Sequence, residues 1–248
     1  MKENEMIFGI RAIIEAVKSD KQIDKIILKN DMQSELAKEL FNAIKGFSHI
    51  QVQRVPLERL NRYTHKNHQG AIAFVSQTTY QLVSDIVPTL YEEGKTPFFV
   101  VLDGVTDVRN FGAIARTCEC GGVDAIVIPV KGGASVNADA VKTSAGALHT
   151  LPVCKESNLV SALKFLKQCG IRIVVASEKG NKNYTEANLY DPVASVMGAE
   201  DKGVSPEILR LCDEMVSIPI KGNISSLNVS VAAGIMIYEG VKQRMSQV

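Results

Sequence analysis

Apolar positions follow two periods in the first third of the chain. Over residues 10–17 and 35–45 they recur at three- and four-residue steps, which predicts two amphipathic helices, with a shorter one over 57–62. Residues 25–28, 50–52 and 71–75 are short runs rich in Ile, Val and Ala, which predicts strands. From Phe98 the texture changes. Continuous apolar runs at 98–102, 125–128, 171–176, 194–197 and 215–220 are separated by helix-length segments. Runs without polar alternation are strands buried on both faces, so this part predicts a mostly parallel sheet covered by helices. The fold class is α/β, with a small N-terminal unit over 1–76, a linker over 77–96 that includes a short helix at 83–91, and a larger domain over 97–248.

Near the C-terminus the last strand breaks into Lys221-Gly222-Asn223 and then into a long helix reaching about Met245. Glycine and asparagine suit the turn, and Ser225 or Ser226 is the expected helix cap. Free N–H groups at such an end offer a ligand site, although the same residues also suit an ordinary junction.

Charge adds little to this picture. The 248 residues carry a net charge of +1, with 12 Lys+Arg against 9 Asp+Glu in residues 1–75. Bulk electrostatics therefore do not announce a nucleic-acid partner. The N-terminus is charged, and no run approaches the roughly 18 apolar residues of a membrane span, so a cytosolic protein without a membrane partner is expected. In that setting the acceptor-like Asn183, Asn223 and Asn228 triplets are chance matches. Five cysteines, with no Cys-x-x-Cys pair, read as reduced, buried thiols, and no metal site is expected.

Ligands of open parallel sheets bind beyond the carboxyl ends of the strands, so the loops there carry the chemistry. Three are unusual. The first, after Leu102, leads into Asn110-x-Gly112-x-x-x-Arg116; the second is Gly198-Ala-Glu200-Asp-Lys-Gly203 after Met197; the third follows Ile218. The Rossmann glycine pattern, the phosphate-binding P-loop and the nucleophile elbow are all missing. In the N-terminal unit, residues 63–70 hold Lys66, His68 and Gln69 after Arg62 and end at Gly70. This loop suits contact with phosphates or bases, and equally a solvated connection. Taken alone, these residues define a ligand site without naming a reaction.

Asn110-Phe-Gly-Ala-Ile-Ala-Arg116, Met197-Gly-Ala-Glu200 with Gly203, and Ile218-Pro-Ile220 with Ser225-Ser-Leu-Asn-Val-Ser-Val-Ala232 resemble the three signature motifs of the SpoU/TrmH family. These are RNA ribose 2′-O-methyltransferases that use S-adenosylmethionine. The first 75 residues resemble the ribosomal-protein-like substrate-binding domain of many members, and residues 137–146 resemble the subgroup that methylates a guanosine of large-subunit (23S) ribosomal RNA. The acidic Asp201 with Lys202 departs from the residues many members carry. The resemblance implies a deep trefoil knot, a homodimer and an RNA partner. It implies cofactor contacts from Met197, Gly198, Ile218, Ile220 and Leu227, RNA contacts from Arg62, Lys66, His68 and Gln69, and chemistry carried by Asn110, Arg116, Glu200, Ser226 and Asn228. A guanidinium is a poor base, so the expected role of Arg116 is to bridge the RNA phosphate and the 2′-oxygen and steady the charge emerging there. A transfer-RNA methyltransferase and a non-catalytic RNA-binding module are the alternatives.

Overall fold

The computed structural model describes residues 6–246, which divide into two units: residues 6–79 with 135–137, and residues 80–134 with 138–246.

In the smaller unit, β1 (Met6–Phe8), β2 (Ile23–Lys29), β3 (Gln51–Val55) and β4 (Ala71–Val75) form one sheet in the order β1-β4-β2-β3. The β2–β3 pair is parallel, and β4 runs antiparallel to β1 and β2. Helices α1 (Ile10–Lys18) and α2 (Glu35–Ile44) cover one face, where Ile13, Ile14, Leu40, Ile26 and Leu28 are buried together. Ser34 caps α2 by accepting the N–H of Ala37 at 3.2 Å. The opposite face carries a smaller cluster, in which α3 (Leu57–Asn61) places Leu60 against Ile27 and Ile72. The strand β1 lacked a sequence signal, because three residues are too short to show a period.

The larger unit is an eight-stranded sheet in which every pairing is parallel. It comprises β5 (Tyr80–Gln81), β6 (Phe98–Asp103), β7 (Ala125–Pro129), β8 (Val153–Glu156), β9 (Arg172–Ala176), β10 (Lys182–Asn183), β11 (Val193–Gly198) and β12 (Glu214–Ser217). Their order is β10-β12-β9-β11-β6-β7-β8-β5. Both faces are covered. On one, Phe99, Val101, Val127, Val175 and Val196 pack against α4 (Val83–Glu92) and α7 (Leu159–Gln168). The stretch read as a linker is thus partly core: Val83, Ile86, Val87 and Leu90 of α4 are buried there. The sequence cue of a charged, proline-containing tail belongs only to residues 92–97.

On the other face lie α5 (Val108–Cys120), α6 (Ala138–Thr143) and α9 (Val229–Met245); the short α8 (Pro206–Leu209) completes the helices of this unit. Helix α5 sits against α6 so tightly that a methyl group on Gly112 would come within 2.8 Å of the Ala140 carbonyl oxygen. The glycine of the Asn-x-Gly-x-x-x-Arg pattern is therefore a helix-packing residue. Gly240 does the same for α9, where an added methyl would lie 2.9 Å from Phe98 Cζ. Helix α9 starts later than expected. Asn228, not Ser225 or Ser226, is its cap, and its Oδ1 accepts the N–H of Ser230 at 3.0 Å. The last strand also ends early, at Ser217, so Ile218 and Ile220 belong to the loop beyond it.

Candidate active site

Three strand ends and one helix start build a single cleft. Its cavity of about 390 Å³ is lined by residues that follow β9 (Ala176, Ser177, Glu178, Lys179), by Met197 to Gly203 after β11, by Ile218 and Ile220 after β12, and by Ser225, Ser226 and Leu227 before α9. The volume suits a drug- or cofactor-sized ligand. All five residues expected to contact a cofactor line it, as do Glu200 and Ser226.

The loop after β11 is held in a narrow turn. Ala199 and Gly203 exchange backbone hydrogen bonds of 3.2 and 2.8 Å, and Gly203 adopts φ +66°. Gly198 has no room for a side chain, since an added Cβ would lie 2.2 Å from the carbonyl carbon of Gly203. Asp103, at the end of β6, accepts the N–H of Ser205 at 2.7 Å and ties this turn to the neighbouring loop.

The turn aims Glu200 at the other two motifs. Its Oε1 accepts from Asn228 Nδ2 at 2.7 Å, from Asn110 Nδ2 at 3.1 Å and from the N–H of Val229 at 3.4 Å. Asn228 Nδ2 also reaches Asn110 Oδ1 at 3.1 Å. Asn110 is itself placed by Asp107, which caps α5 by accepting the N–H groups of Arg109 and Asn110. Each amide is used at both ends, which fixes its orientation. The carboxylate also lies at the N-terminal end of α9, where the helix dipole favours negative charge.

Arg116 is exposed on α5 and does not line the cleft of its own chain. In the smaller unit, Arg62, Lys66 and Gln69 are exposed, and Gln69 has φ +48°. His68 is different. It is buried, its Nδ1 accepts the N–H of Gly70 at 3.0 Å, and its Nε2 lies 2.9 Å from Asn61 Oδ1. Accepting at Nδ1 leaves the proton on Nε2, so the ring braces its loop from inside. Of the four residues expected to meet RNA, His68 is thus the buried one, with both ring nitrogens occupied, while Arg62, Lys66 and Gln69 face solvent.

Sequence reading missed Ser177, Glu178 and Lys179. The available signal was their position directly after a buried strand of the sheet. The expectation of buried thiols holds for two of the five cysteines: Cys118 and Cys154 are buried, and burial pushes their thiols up, whereas Cys169 and Cys212 are half-buried and Cys120 is exposed. Among the described residues no helix is long and apolar enough to cross a membrane, and no cluster of His, Cys, Asp and Glu has the form of a metal site.

A parallel α/β sheet whose carboxyl-end loops close around one cleft, with a carboxylate and two amides locked together beside it, defines a ligand-binding α/β domain. Residues 97–238 match the SpoU rRNA methylase family, and residues 6–81 match the family of RNA 2′-O ribose methyltransferase substrate-binding domains. The chain belongs to the SpoU rRNA methylase family. It is 36% identical over 246 residues to the 23S rRNA (guanosine-2′-O-)-methyltransferase RlmB of Photorhabdus laumondii, covering 98% of this chain and 100% of that protein. The SpoU methyltransferase AviRb from Streptomyces viridochromogenes, solved in complex with AdoMet, shares the fold with a TM-score of 0.62 at 23% identity, over 97% of this chain and 90% of that one. The A. aeolicus TrmH/SpoU tRNA modifying enzyme is 32% identical with a TM-score of 0.57, over 66% of this chain and 85% of that one.

Proposed function

We propose that this protein transfers a methyl group from S-adenosylmethionine to a ribose 2′-hydroxyl of RNA, at a guanosine of large-subunit ribosomal RNA. The observation that carries the proposal is the junction of Asn110, Glu200 and Asn228 beside the cleft, in a chain alike over its whole length to a methyltransferase of that specificity.

The residues present fit the cofactor. Met197, Ile218, Ile220 and Leu227 give an apolar wall suited to a flat adenine, while Ser225, Ser226 and the backbone of 198–203 offer hydrogen bonds to its polar groups. When bound, S-adenosylmethionine supplies a methyl group on a positively charged sulfur. The 2′-oxygen would gain that methyl as the carbon–sulfur bond breaks, neutral S-adenosylhomocysteine would leave, and the hydroxyl proton would pass to solvent. Positioning is the main task, because the attacking atom must sit about 3–3.5 Å from the carbon and in line with the bond that breaks. Asn110, Glu200 and Asn228 hold the three loops in one arrangement, and Ser226 binds the nucleotide. Arg116 stabilises the charge that develops on the 2′-oxygen.

Arg116 reaches the cleft from a second copy of the chain. Helix α9 supports this homodimer, since its first ten residues, Val229 to Tyr238, carry no charge and leave Val231 and Tyr238 about half exposed, with Ile224 more exposed still in the loop before it. The smaller unit presents RNA through Arg62, Lys66 and Gln69, as cations and polar groups on an exposed loop suit phosphate and base contacts. The trefoil knot belongs to the same proposal; the passage of residues 218–227 alongside the turn at 198–203 supports it.

Transfer of a labelled methyl group to ribosomal RNA, followed by mapping of the modified nucleotide, tests the proposal. A 2′-O-methylguanosine in large-subunit RNA is the expected product. Labelling confined to transfer RNA would overturn the substrate. No transfer to either RNA would overturn the enzymatic reading.

A further inference from the structure

We propose that Glu178 is a cofactor-binding residue whose carboxylate grips the ribose diol of the nucleoside in the cleft. The inference rests on the reading that the cleft holds S-adenosylmethionine.

Glu178 lies in the loop after β9, and β9 is the middle one of the three strands, β12, β9 and β11, whose carboxyl ends frame the cleft. Ala176 precedes it at the cleft wall, between the levels of Met197 on one neighbouring strand and Ile218 beyond the other. A polar group placed here stands at the rim of the apolar wall assigned to adenine. With adenine on that wall, the attached sugar would reach the rim.

The loop is built as a fixed turn. Ser177 donates its N–H to the Val216 carbonyl at 2.9 Å, Gly180 donates its N–H to the Ser177 carbonyl at 3.0 Å, and Ser177 Oγ accepts the N–H of Lys179 at 3.3 Å. A Cβ on Gly180 would lie 2.3 Å from the backbone of Val216, so the turn closes against β12 with no space to spare. This geometry leaves Glu178 and Lys179 at the tip. Ser177 Oγ lies 3.4 Å from Glu178 Oε2 and leans the carboxylate back toward its own strand end.

Chemistry selects among the charged groups of the cleft. Two vicinal hydroxyls are donors, so an acceptor with two oxygens matches them, and lysines such as Lys179 and Lys202 do not. Acidic residues serve the same purpose at the strand ends of dinucleotide-binding sheets. Glu200 is already committed, with three donors on its Oε1. Asp201 is the remaining carboxylate and serves as the control.

The test is calorimetric titration of the intact protein with S-adenosylhomocysteine and with its 2′,3′-dideoxy analogue, on wild type, Glu178→Gln, Glu178→Ala and Asp201→Asn. Loss of a charged hydrogen-bond acceptor is worth roughly a tenfold or greater weakening, so both Glu178 variants should lose about that factor for S-adenosylhomocysteine. The dideoxy analogue should bind wild type and the Glu178 variants alike, and Asp201→Asn should behave as wild type. Equal losses for both ligands, no loss, or a diol-selective loss in Asp201→Asn instead would each overturn the assignment. Glu178 is exposed, and unchanged melting temperatures would show that the variants are folded. Wild type that binds neither ligand would instead refute the cofactor reading.

Discussion

Asn228 Nδ2 stands 2.7 Å from Glu200 Oε1, while the other end of the same amide caps α9 through the N–H of Ser230 at 3.0 Å. One side chain thereby starts a helix and closes the cleft. The two tasks separate chemically. Aspartate caps helices as well as asparagine does, yet it has no N–H to donate and would set a second carboxylate against Glu200. Asn228→Asp should leave the melting temperature within a few degrees of wild type and cut kcat/KM by about 100-fold at neutral pH. Two carboxylates so close share a proton with a raised pKa. Below that value the shared proton restores a hydrogen bond, so activity in this variant should rise as pH falls, a rise that Asn228→Ala, with no second carboxyl group, should not show. A pH-rate series on the two variants reads the difference.

Arg116 gives a prediction about assembly. It is exposed and absent from the cleft lining of its own chain, so neither Arg116→Ala nor Glu200→Ala should transfer methyl groups by itself. Mixing the two inactive proteins should restore activity, because a mixed dimer has one cleft with Glu200 from one copy and Arg116 from the other. No restoration after confirmed subunit exchange would place the arginine in its own chain's site or outside catalysis.

His68 and Arg62 separate a brace from a contact. Replacing His68 by Ala strands the buried N–H of Gly70 and removes the partner of Asn61, which should cost about 1–3 kcal/mol of stability in the smaller unit. Arg62→Ala, at an exposed position, should leave stability unchanged but weaken RNA binding and flatten its dependence on salt. Denaturant titration and filter binding at two salt concentrations measure both effects.

Gly198→Ala is the sharpest steric test. Its Cβ would overlap the backbone of Gly203, which cannot rotate away as a side chain can. Overpacking of this kind costs about 1–3 kcal/mol or more, and here the strain falls on the turn that aims Glu200. Weaker binding of S-adenosylhomocysteine is expected together with a lower melting temperature. Gly222→Ala, where nothing lies within 4 Å of the added carbon, should do neither.

Sequence alone determined the parallel α/β domain, its strands at 98–102, 125–128, 171–176 and 194–197, and the three motifs, because buried strands and glycine-containing turns leave local signals. It missed β5, β8 and β10, which are two to four residues long and too short to show a period. It also misplaced the cap of α9. Ser225, Ser226 and Asn228 are all good caps, and only the pull of Glu200, 28 residues away in the chain, favours the asparagine. The same limit applies to His68, whose exposed-looking loop hides a buried ring, and to Gly112, whose neighbour Ala140 lies on another helix. Local chemistry decides which conformations a segment prefers. Which partner satisfies a given polar group, or fills the space beside a given glycine, depends on contacts distant in sequence, and that was settled only when the chain packed.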